Sequence, residues 1–348
     1  MIINCVTSKI QMAYKHTQHG GDHEVACVNS TSDMIISALP SQRGWTTSEL
    51  KQFQGFWLDD WVMPGVLSLQ EKFCGKSDHV VLTSSPKSGT TWLKALLFSI
   101  TNRSSYKFDD AVDDGNPLLS RNPHVSVPYI DFNATEHLDD PNPDLSLLST
   151  HLPYSLLPKS MIESGCRFVH VMREPKDLFI SLWHFAVELR KARDQPTLPL
   201  DDAFDMFCNG LSQYGPYWDY ELEYWNASLK CPDKFCIMTY EDLMKRPDYN
   251  VRKLASFIEK PFTAAEEDEG VVEAIVTFCS FDKLSNLEVN RTKTSSLRKA
   301  HVVPNKVLFR KATIGDWKNY LIDKQRERID QTTYQKFQGT DLLDLLST

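Results

Sequence analysis

Several features that would place the chain in a common class of protein are missing from its sequence. The eight cysteines are scattered through 348 residues without a C-x-x-C pair, which argues against a disulfide scaffold and predicts reduced thiols. No apolar run approaches the roughly 18 residues of a membrane span, and residues 1–21 contain no apolar core of a secretory signal. The net charge of −8 at pH 7 argues against a general nucleic-acid binder. We therefore expect a cytoplasmic protein with neither membrane nor nucleic-acid partners.

The composition is that of a globular protein, with 41% hydrophobic and 24% charged residues. A chain of this length buries about 75% of its unfolded surface and needs no disulfide or metal to fold. Residues 1–32 lack hydrophobic periodicity, whereas an aromatic-rich region begins at Trp45. No repeat or long linker divides the remainder. We therefore predict a poorly ordered or variable leader over residues 1–44 and a single domain over residues 45–348.

A metal site in the leader is the weaker interpretation of its histidines and cysteines. Nothing near them completes a tetrahedral set of ligands, so we predict no metal. The residues concerned are Cys5, His16, His19, His23 and Cys27.

Three short apolar runs, each followed by a helical pattern, predict the fold. They span residues 79–83, 167–172 and 234–239, and Pro175 follows the second run at a position typical of the first turn of a helix. Near-continuous apolar strands that alternate with helices indicate a parallel sheet covered on both faces. We predict an α/β fold with a central parallel sheet flanked by helices.

The strongest local signal is the sequence Ser-Pro-Lys-Ser-Gly-Thr-Thr-Trp at residues 85–92. A small-residue loop between a strand and a helix directs backbone N–H groups and the positive helix end at one point, which binds phosphate. Lys87 adds a charge, and Ser88, Thr90 and Thr91 add hydroxyl donors. The first glycine of the nucleotide-triphosphatase loop is missing, so an ATPase or kinase is the weaker interpretation. A Ser/Thr-rich helix cap without a ligand is the simpler alternative.

Two further candidates follow apolar runs. Arg173 comes at the carboxyl end of the second run, where open α/β sheets bind ligands, and its guanidinium suits a phosphate. Ser181 lies on the following helix. His151 ends the short run at residues 147–150 and is suited to take a proton near neutral pH. Taken alone, each residue has an ordinary structural explanation.

A basic segment near the carboxyl terminus completes the set. Residues 309–319 contain the adjacent cations Arg310 and Lys311 together with a glycine. They form a plausible lid over a phosphate, and an exposed basic turn is the alternative.

At these places the chain resembles the cytosolic sulfotransferases, and their plant branch in particular. Residues 86–92 resemble the family's 5′-phosphosulfate motif, and residues 173–177 with Ser181 resemble its 3′-phosphate motif. Residues 310–319 resemble its R-K-G-x-x-G-D-W-K-N signature, and residues 279–281 match a stretch that contacts nucleotide. The likeness runs from about residue 45 to residue 339.

The resemblance implies a fold like that of the P-loop nucleotide kinases and the co-substrate 3′-phosphoadenosine-5′-phosphosulfate (PAPS), without a metal. His151 is implied as the general base, and Lys87 as the residue that stabilises the leaving group. The residues implied to bind the nucleotide are Lys87, Ser88, Gly89, Thr90, Thr91, Trp92, Arg173, Ser181, Tyr240, Ser280, Phe281, Arg310, Lys311 and Ala312.

The chain departs from the family pattern at two positions. Ala312 stands where the signature has glycine, and Ser149 stands where many animal members have a lysine two residues before the base. The homodimer motif of animal members is not recognisable after residue 319, so we expect a monomer or a weak homodimer. The implied acceptor is a hydroxyl of a small, apolar or phenolic plant metabolite such as a flavonoid or steroid.

Three alternatives stay open at this point. A phosphoryl transferase lacks an obvious magnesium-binding acidic motif here. A nucleotide-binding regulator without catalysis has no need of His151. A Golgi sulfotransferase for glycans or tyrosine needs a membrane anchor, and the sequence offers no apolar run of that length.

Overall fold

The computed structural model describes residues 24–46, 48–108, 115–132, 146–298 and 301–347. His16, His19 and His23, considered above as metal ligands, lie outside these ranges, as does most of the predicted leader.

The chain divides into two compact units, Met1–Leu39 and Pro40–Thr348. In the first unit the described residues form one helix, Glu24–Ala38, although the sequence there showed little periodicity. The second unit begins before the predicted boundary at residues 44 and 45. The reason is a strand, Ser41–Arg43, whose backbone pairs with residues 49–51 further along the chain.

The strands of the second unit form three sheets. The first and third are antiparallel, with orders β1-β2-β3 and β8-β9, and the second is a four-stranded parallel sheet with order β5-β4-β6-β7. The strands are β1 (Ser41–Arg43), β2 (Glu49–Phe53), β3 (Phe56–Asp59), β4 (Val80–Ser84), β5 (Leu147–Thr150), β6 (Arg167–Met172), β7 (Phe235–Thr239), β8 (Thr294–Arg298) and β9 (His301–Pro304).

The four-stranded sheet confirms the predicted α/β architecture. Every residue of β4 is buried, and only the first residue of β6 is partly exposed. Such strands are typical of a parallel sheet that is covered on both faces. The predicted runs at residues 79–83, 167–172 and 234–239 correspond to β4, β6 and β7 within one residue at each end.

Helices account for most of the remaining described residues. The α-helices are α1 (Glu24–Ala38), α2 (Met63–Lys72), α3 (Thr90–Asn102), α4 (Pro117–Ser120), α5 (Pro123–Ser126), α6 (Lys159–Glu163), α7 (Pro175–Lys191), α8 (Leu200–Cys208), α9 (Tyr217–Lys230), α10 (Tyr240–Lys245), α11 (Pro247–Phe257), α12 (Ala264–Asp268), α13 (Val271–Phe278), α14 (Phe281–Asn286), α15 (Glu288–Thr292), α16 (Asp323–Phe337) and α17 (Leu342–Ser347). Short 3₁₀ segments cover Tyr154–Leu156, Pro232–Lys234, Asn305–Leu308 and Asp316–Asn319.

Two apolar cores cover the two faces of the parallel sheet. Successive side chains of a strand point to opposite faces, and β6 shows this directly. Val169 and Val171 belong to a core with α3, α11 and α13, whereas Met172 belongs to a core with α7, α8 and α16. The sheet is therefore held rigidly, and the loops at its carboxyl edge start from fixed positions.

Candidate active site

A cavity of about 500 Å³ opens at the carboxyl edge of the parallel sheet. Residues that directly follow each of the four parallel strands line this cavity. They come from residues 86–92 after β4, His151 after β5, Arg173 after β6 and Tyr240 after β7. Open α/β sheets bind ligands at this edge because all parallel strands end there and the following helices begin there. The structure thus brings the predicted strand-end residues together around one cavity.

The loop between β4 and α3 turns sharply enough to need an unusual backbone. Lys87 has φ +72° and Gly89 has φ +112°. A Cβ atom at Gly89 would lie 2.9 Å from Cδ2 of Tyr240, so both its backbone angle and the neighbouring ring require glycine. The left-handed conformation of Lys87 costs about 1–2 kcal/mol. Such strain is found where a loop must present its backbone to a ligand.

The loop hydroxyls all have protein partners. Oγ of Ser88 lies 2.8 Å from Oγ of Ser85, and Oγ1 of Thr90 lies 2.7 Å from Oγ of Ser84. Oγ1 of Thr91 lies 3.2 Å from Nε2 of His124. Thr90 and Thr91 line the cavity. Ser88 is fully buried and does not, so the structure does not support the prediction that its hydroxyl binds a ligand.

Positive charge is concentrated in the cavity wall. The pKa of Lys87 is lowered to about 7, mainly because the side chain is buried and in smaller part because the charges of Arg173 and Arg310 are near it. Nζ of Lys87 lies 4.6 Å from the ring centroid of Phe185. Because cations that lower one another's pKa are unfavourable together, this wall is suited to an anion that offsets their repulsion.

Arg173 connects the loop to the basic segment near the carboxyl terminus. Its Nη1 donates to the carbonyl oxygen of Lys87 and its Nη2 to that of Thr313, both at 3.2 Å. Its guanidinium carbon lies 4.3 Å from the ring centroid of Tyr240. Among the described residues no acceptor reaches its buried Nε. A donor left unpaired in a cavity wall is suited to a ligand oxygen.

The basic segment is anchored by acidic residues that the sequence analysis did not single out. Arg310 and Lys311 both donate to the carboxylate of Asp316, which is buried. Asp177, on α7, accepts from the backbone N–H groups of Gly315 and Trp317. The signal available in the sequence was the position of Asp177 in the first turn of a helix that follows Arg173.

Ala312 occupies a left-handed backbone conformation, with φ +51°. It lines the cavity together with Arg310 and Lys311. The glycine of the family signature is therefore replaced at a position whose backbone favours glycine.

His151 has a defined tautomer. Its Nδ1 lies 2.7 Å from the carbonyl oxygen of Ser84, which can only accept, so Nδ1 carries the proton. Its Nε2 lies 2.9 Å from the hydroxyl of Tyr129 and therefore accepts from it. The pKa of His151 is lowered to about 3, mainly by burial and also by the charges of Lys94 and Lys87, which together outweigh the opposite effect of the bond to Ser84. The imidazole is thus neutral near pH 7, with a lone pair on Nε2.

A buried polar group behind His151 was missed in the sequence. Lys94 is fully buried, and its Nζ lies 3.2 Å from the ring centroid of Tyr129. Asp131, also fully buried, accepts from the backbone N–H of His151 at 3.3 Å and from the hydroxyl of Tyr214 at 3.0 Å. A single lysine within the otherwise apolar part of α3 was the signal that pointed to this group.

Aromatic side chains form another part of the wall. Trp92 and Tyr240 meet edge to face with ring centroids 6.1 Å apart, and among the described residues no acceptor reaches the buried Nε1 of Trp92. Phe281 lies 6.3 Å from Phe309. Ser280 caps α14, its Oγ accepting from the backbone N–H of Lys283 at 3.3 Å. With Ser181, all the predicted site residues except Ser88 line the cavity.

Residues 77–341 match the family model described as the sulfotransferase domain. The chain belongs to the sulfotransferase family. The family prediction from the sequence is confirmed, and the alternative of a phosphoryl transferase is set aside.

Plant sulfotransferases are among the similar proteins. The chain is 40% identical to cytosolic sulfotransferase 16 of Arabidopsis thaliana over 343 residues, which cover 95% of this chain and 99% of that protein. It is 42% identical to flavonol 4′-sulfotransferase of Flaveria chlorifolia over 316 residues, which cover 89% of this chain and 95% of that protein.

Solved sulfotransferases share the fold. A putative steroid sulphotransferase of Arabidopsis thaliana superposes with a TM-score of 0.68 at 33% identity, over 93% of this chain and 97% of that one. A mouse sulfotransferase solved in complex with PAP superposes with a TM-score of 0.65 at 22% identity, over 86% of this chain and 97% of that one. These structures confirm the predicted fold class.

Within the described ranges, no helix combines the length and the apolar composition needed to cross a membrane. In those same ranges, no cluster of three or more His, Cys, Asp and Glu side chains is placed to hold a metal ion.

Proposed function

We propose that this sulfotransferase transfers the sulfuryl group of PAPS to a hydroxyl of a small acceptor. The observation that carries the proposal is the meeting of two kinds of residue in one cavity. Lys87, Arg173 and Arg310 supply positive charge, and His151 presents a basic nitrogen. The unpaired donors at Arg173 Nε and Trp92 Nε1 fit a ligand that is both anionic and aromatic. The mouse relative named above binds PAP, the desulfated product of PAPS.

The residues divide the chemical work. The acceptor oxygen bonds to sulfur as the bond from sulfur to the bridging phosphate oxygen breaks, and the acceptor proton passes to Nε2 of His151. Lys87 and the N–H groups at the start of α3 stabilise the negative charge that develops on the phosphate oxygen. Tyr129 donates to Nε2 in this structure. Its hydroxyl must therefore move aside before the acceptor reaches the base.

The wall that remains for the acceptor is largely aromatic. Trp61 stacks on His301 with ring centroids 4.1 Å apart and lies 5.3 Å from Phe132. Phe185 and Leu189 line the same cavity. Apolar, aromatic walls bind flat apolar ligands, and relatives that are about 40% identical are named flavonol sulfotransferases and cytosolic sulfotransferases. A phenolic plant metabolite, sulfated in the cytosol, is the acceptor we propose.

A thermal-shift titration tests the nucleotide without an acceptor. A ligand at 100 times its dissociation constant adds about 2.7 kcal/mol to the free energy of unfolding. We expect PAP to raise the melting temperature in a concentration-dependent manner, and ATP with magnesium to do much less. If ATP stabilised the protein more than PAP, the proposed donor would be wrong.

Replacement of Arg173 by alanine should weaken the binding of nucleotides that carry a 3′-phosphate. A charge-assisted bond to phosphate in a cleft is worth about 1.5–3 kcal/mol, or about ten- to hundredfold in the dissociation constant. The affinity for adenosine phosphosulfate, which lacks the 3′-phosphate, should fall much less. Calorimetric titration of both nucleotides into both proteins measures the difference. Equal losses would show that Arg173 acts only through its bonds to Lys87 and Thr313.

Replacement of Ala312 by glycine should tighten the binding of PAP. The backbone of Ala312 has φ +51°, which costs about 1 kcal/mol for alanine and nothing for glycine. If the bound conformation keeps this angle and the strain is relieved only on release, up to about fivefold in affinity returns. Gln54, with φ +50° in the exposed turn between β2 and β3, supplies the control. Gln54→Gly relieves similar strain away from the cavity and should leave the dissociation constant unchanged, whereas an unchanged constant in Ala312→Gly would contradict the prediction.

A further inference from the structure

A buried carboxyl group in the acceptor wall has one oxygen without a partner. Asp59 ends β3, is 2% exposed and lines the cavity. Its Oδ2 accepts from Nε2 of Gln213 at 2.6 Å. Among the described residues no donor reaches its buried Oδ1. An unpaired buried oxygen destabilises the folded protein, and more so when the group is charged. Unpaired buried polar atoms of this kind are found at sites where a bound ligand supplies the missing hydrogen bond.

Asp59 is held close to the catalytic end of the cavity. The backbone N–H of Trp57 donates to the carbonyl oxygen of Gly215 at 2.8 Å, and the backbone N–H of Tyr214 donates to the carbonyl oxygen of Trp57 at 2.7 Å. These two bonds fix β3 to the segment that contains Tyr214 and Gly215. The ring of Tyr214 lies 5.5 Å from that of His151. Asp59 also lies near enough to Tyr214 that its charge helps to raise the pKa of that residue. Tyr214 is therefore a neighbour of both Asp59 and His151, and all three side chains line the cavity.

We propose that Oδ1 of Asp59 accepts a hydrogen bond from a second hydroxyl group of the acceptor, which makes polyhydroxylated phenols the preferred substrates. This inference rests on the proposed function, because it concerns the molecule whose first hydroxyl is sulfated beside His151. One hydroxyl of the acceptor lies at His151, and another, on a different part of the same molecule, lies at Asp59.

The charges around Asp59 favour a hydroxyl over an amine. Arg193 lines the same cavity and lies near enough to lower the pKa of Asp59, although burial raises that pKa to about 7 overall. Lys87, Arg173 and Arg310 add further positive charge to the cavity. A cationic acceptor would be repelled by these groups, whereas a neutral hydroxyl is not.

The test uses pairs of flavonols that differ by a single ring hydroxyl, at pH 8 so that the Asp59 carboxylate predominates. For each pair, kcat/KM of the more hydroxylated member is divided by that of its counterpart. We expect this ratio to reach about tenfold or more for at least one pair in the wild-type protein. Asp59→Leu should bring that ratio close to 1. The neighbouring half-buried Asp60, which does not line the cavity, supplies the charge-matched control Asp60→Asn, which should keep the wild-type ratio.

Asp59→Asn keeps the volume of the side chain and covers the case in which the leucine variant does not fold. It replaces one carboxylate oxygen by an NH2 group, and because the remaining oxygen is the one that can accept from Gln213, the NH2 group takes the place of Oδ1. The ratio should fall at least threefold. Ratios below about threefold for every pair in the wild-type protein, or an unchanged ratio in a folded Asp59 variant, would overturn the proposal. Stronger selection for amine-bearing analogues that depends on Asp59 would overturn it as well.

Failure of the proposed function is detected separately. If no flavonol is sulfated, the same pairs are titrated calorimetrically into the protein with PAP present, and the ratio of dissociation constants replaces the kinetic ratio. Absence of PAP binding and of turnover would count against the proposed function. The difference between wild type and the Asp59 variants would still decide the role of this carboxylate.

Discussion

His151→Ala should lower kcat by two or more decades while the affinity for PAP stays near that of the wild-type protein. General-base catalysis contributes about 10²–10⁴-fold, and the structure leaves Nε2 of His151 unprotonated to provide it. The nucleotide-facing residues are not bonded to His151, so binding in the ground state should change little. Single-turnover kinetics with a saturating acceptor, together with calorimetry for PAP, measure the two quantities.

Tyr129→Phe is the matched control for that experiment. It removes the hydroxyl that donates to Nε2 and keeps the imidazole, so most of the turnover should be retained.

Since the pKa of His151 is lowered to about 3, its base form is complete above about pH 5, and kcat should not fall between pH 7 and pH 5 because of this residue. A His151→Ala variant that retained most of its turnover would refute the assignment of the base.

Lys87→Met should lower kcat by about 10²–10³-fold, the range found when one donor to a developing negative charge is removed. Lys87 lies in the strained loop between β4 and α3 and lines the same cavity as the first residues of that helix. Because the leaving oxygen is more negative in the transition state than in the bound nucleotide, kcat should suffer more than affinity. An increase in KM with an unchanged kcat would contradict a role in stabilising the leaving group.

The pH dependence supplies a second measure of Lys87. Its pKa is lowered to about 7 without a ligand, and a bound anion raises it. Nucleotide binding should therefore take up a proton between pH 7 and pH 8, and affinity should weaken as the pH rises through this range. Calorimetry in buffers with different ionisation enthalpies detects the uptake. Lys87→Arg, whose guanidinium stays charged, should abolish it and should retain more of the affinity than Lys87→Met.

Much of the site was determined by the sequence, because it depends on local patterns. An apolar run, a small-residue loop and a helix specify β4, the loop and α3 within a few residues of one another. His151 and Arg173 also follow directly from strands that can be recognised as apolar runs. Parallel strands end at one edge of a sheet, so recognising the strands was sufficient to bring their following residues together.

The tertiary structure alone decided features that depend on residues distant in the chain. The carbonyl of Ser84 fixes the tautomer of His151, Nζ of Lys94 lies over the ring of Tyr129, and the side chain of Gln213 donates to Asp59. Each contact joins segments that become neighbours only when the sheet and its helices pack. Ser88 is a different case, because its Oγ pairs with Oγ of Ser85 inside the same loop and the residue does not line the cavity. The backbone angles of that turn, which no residue pattern specifies, decide this.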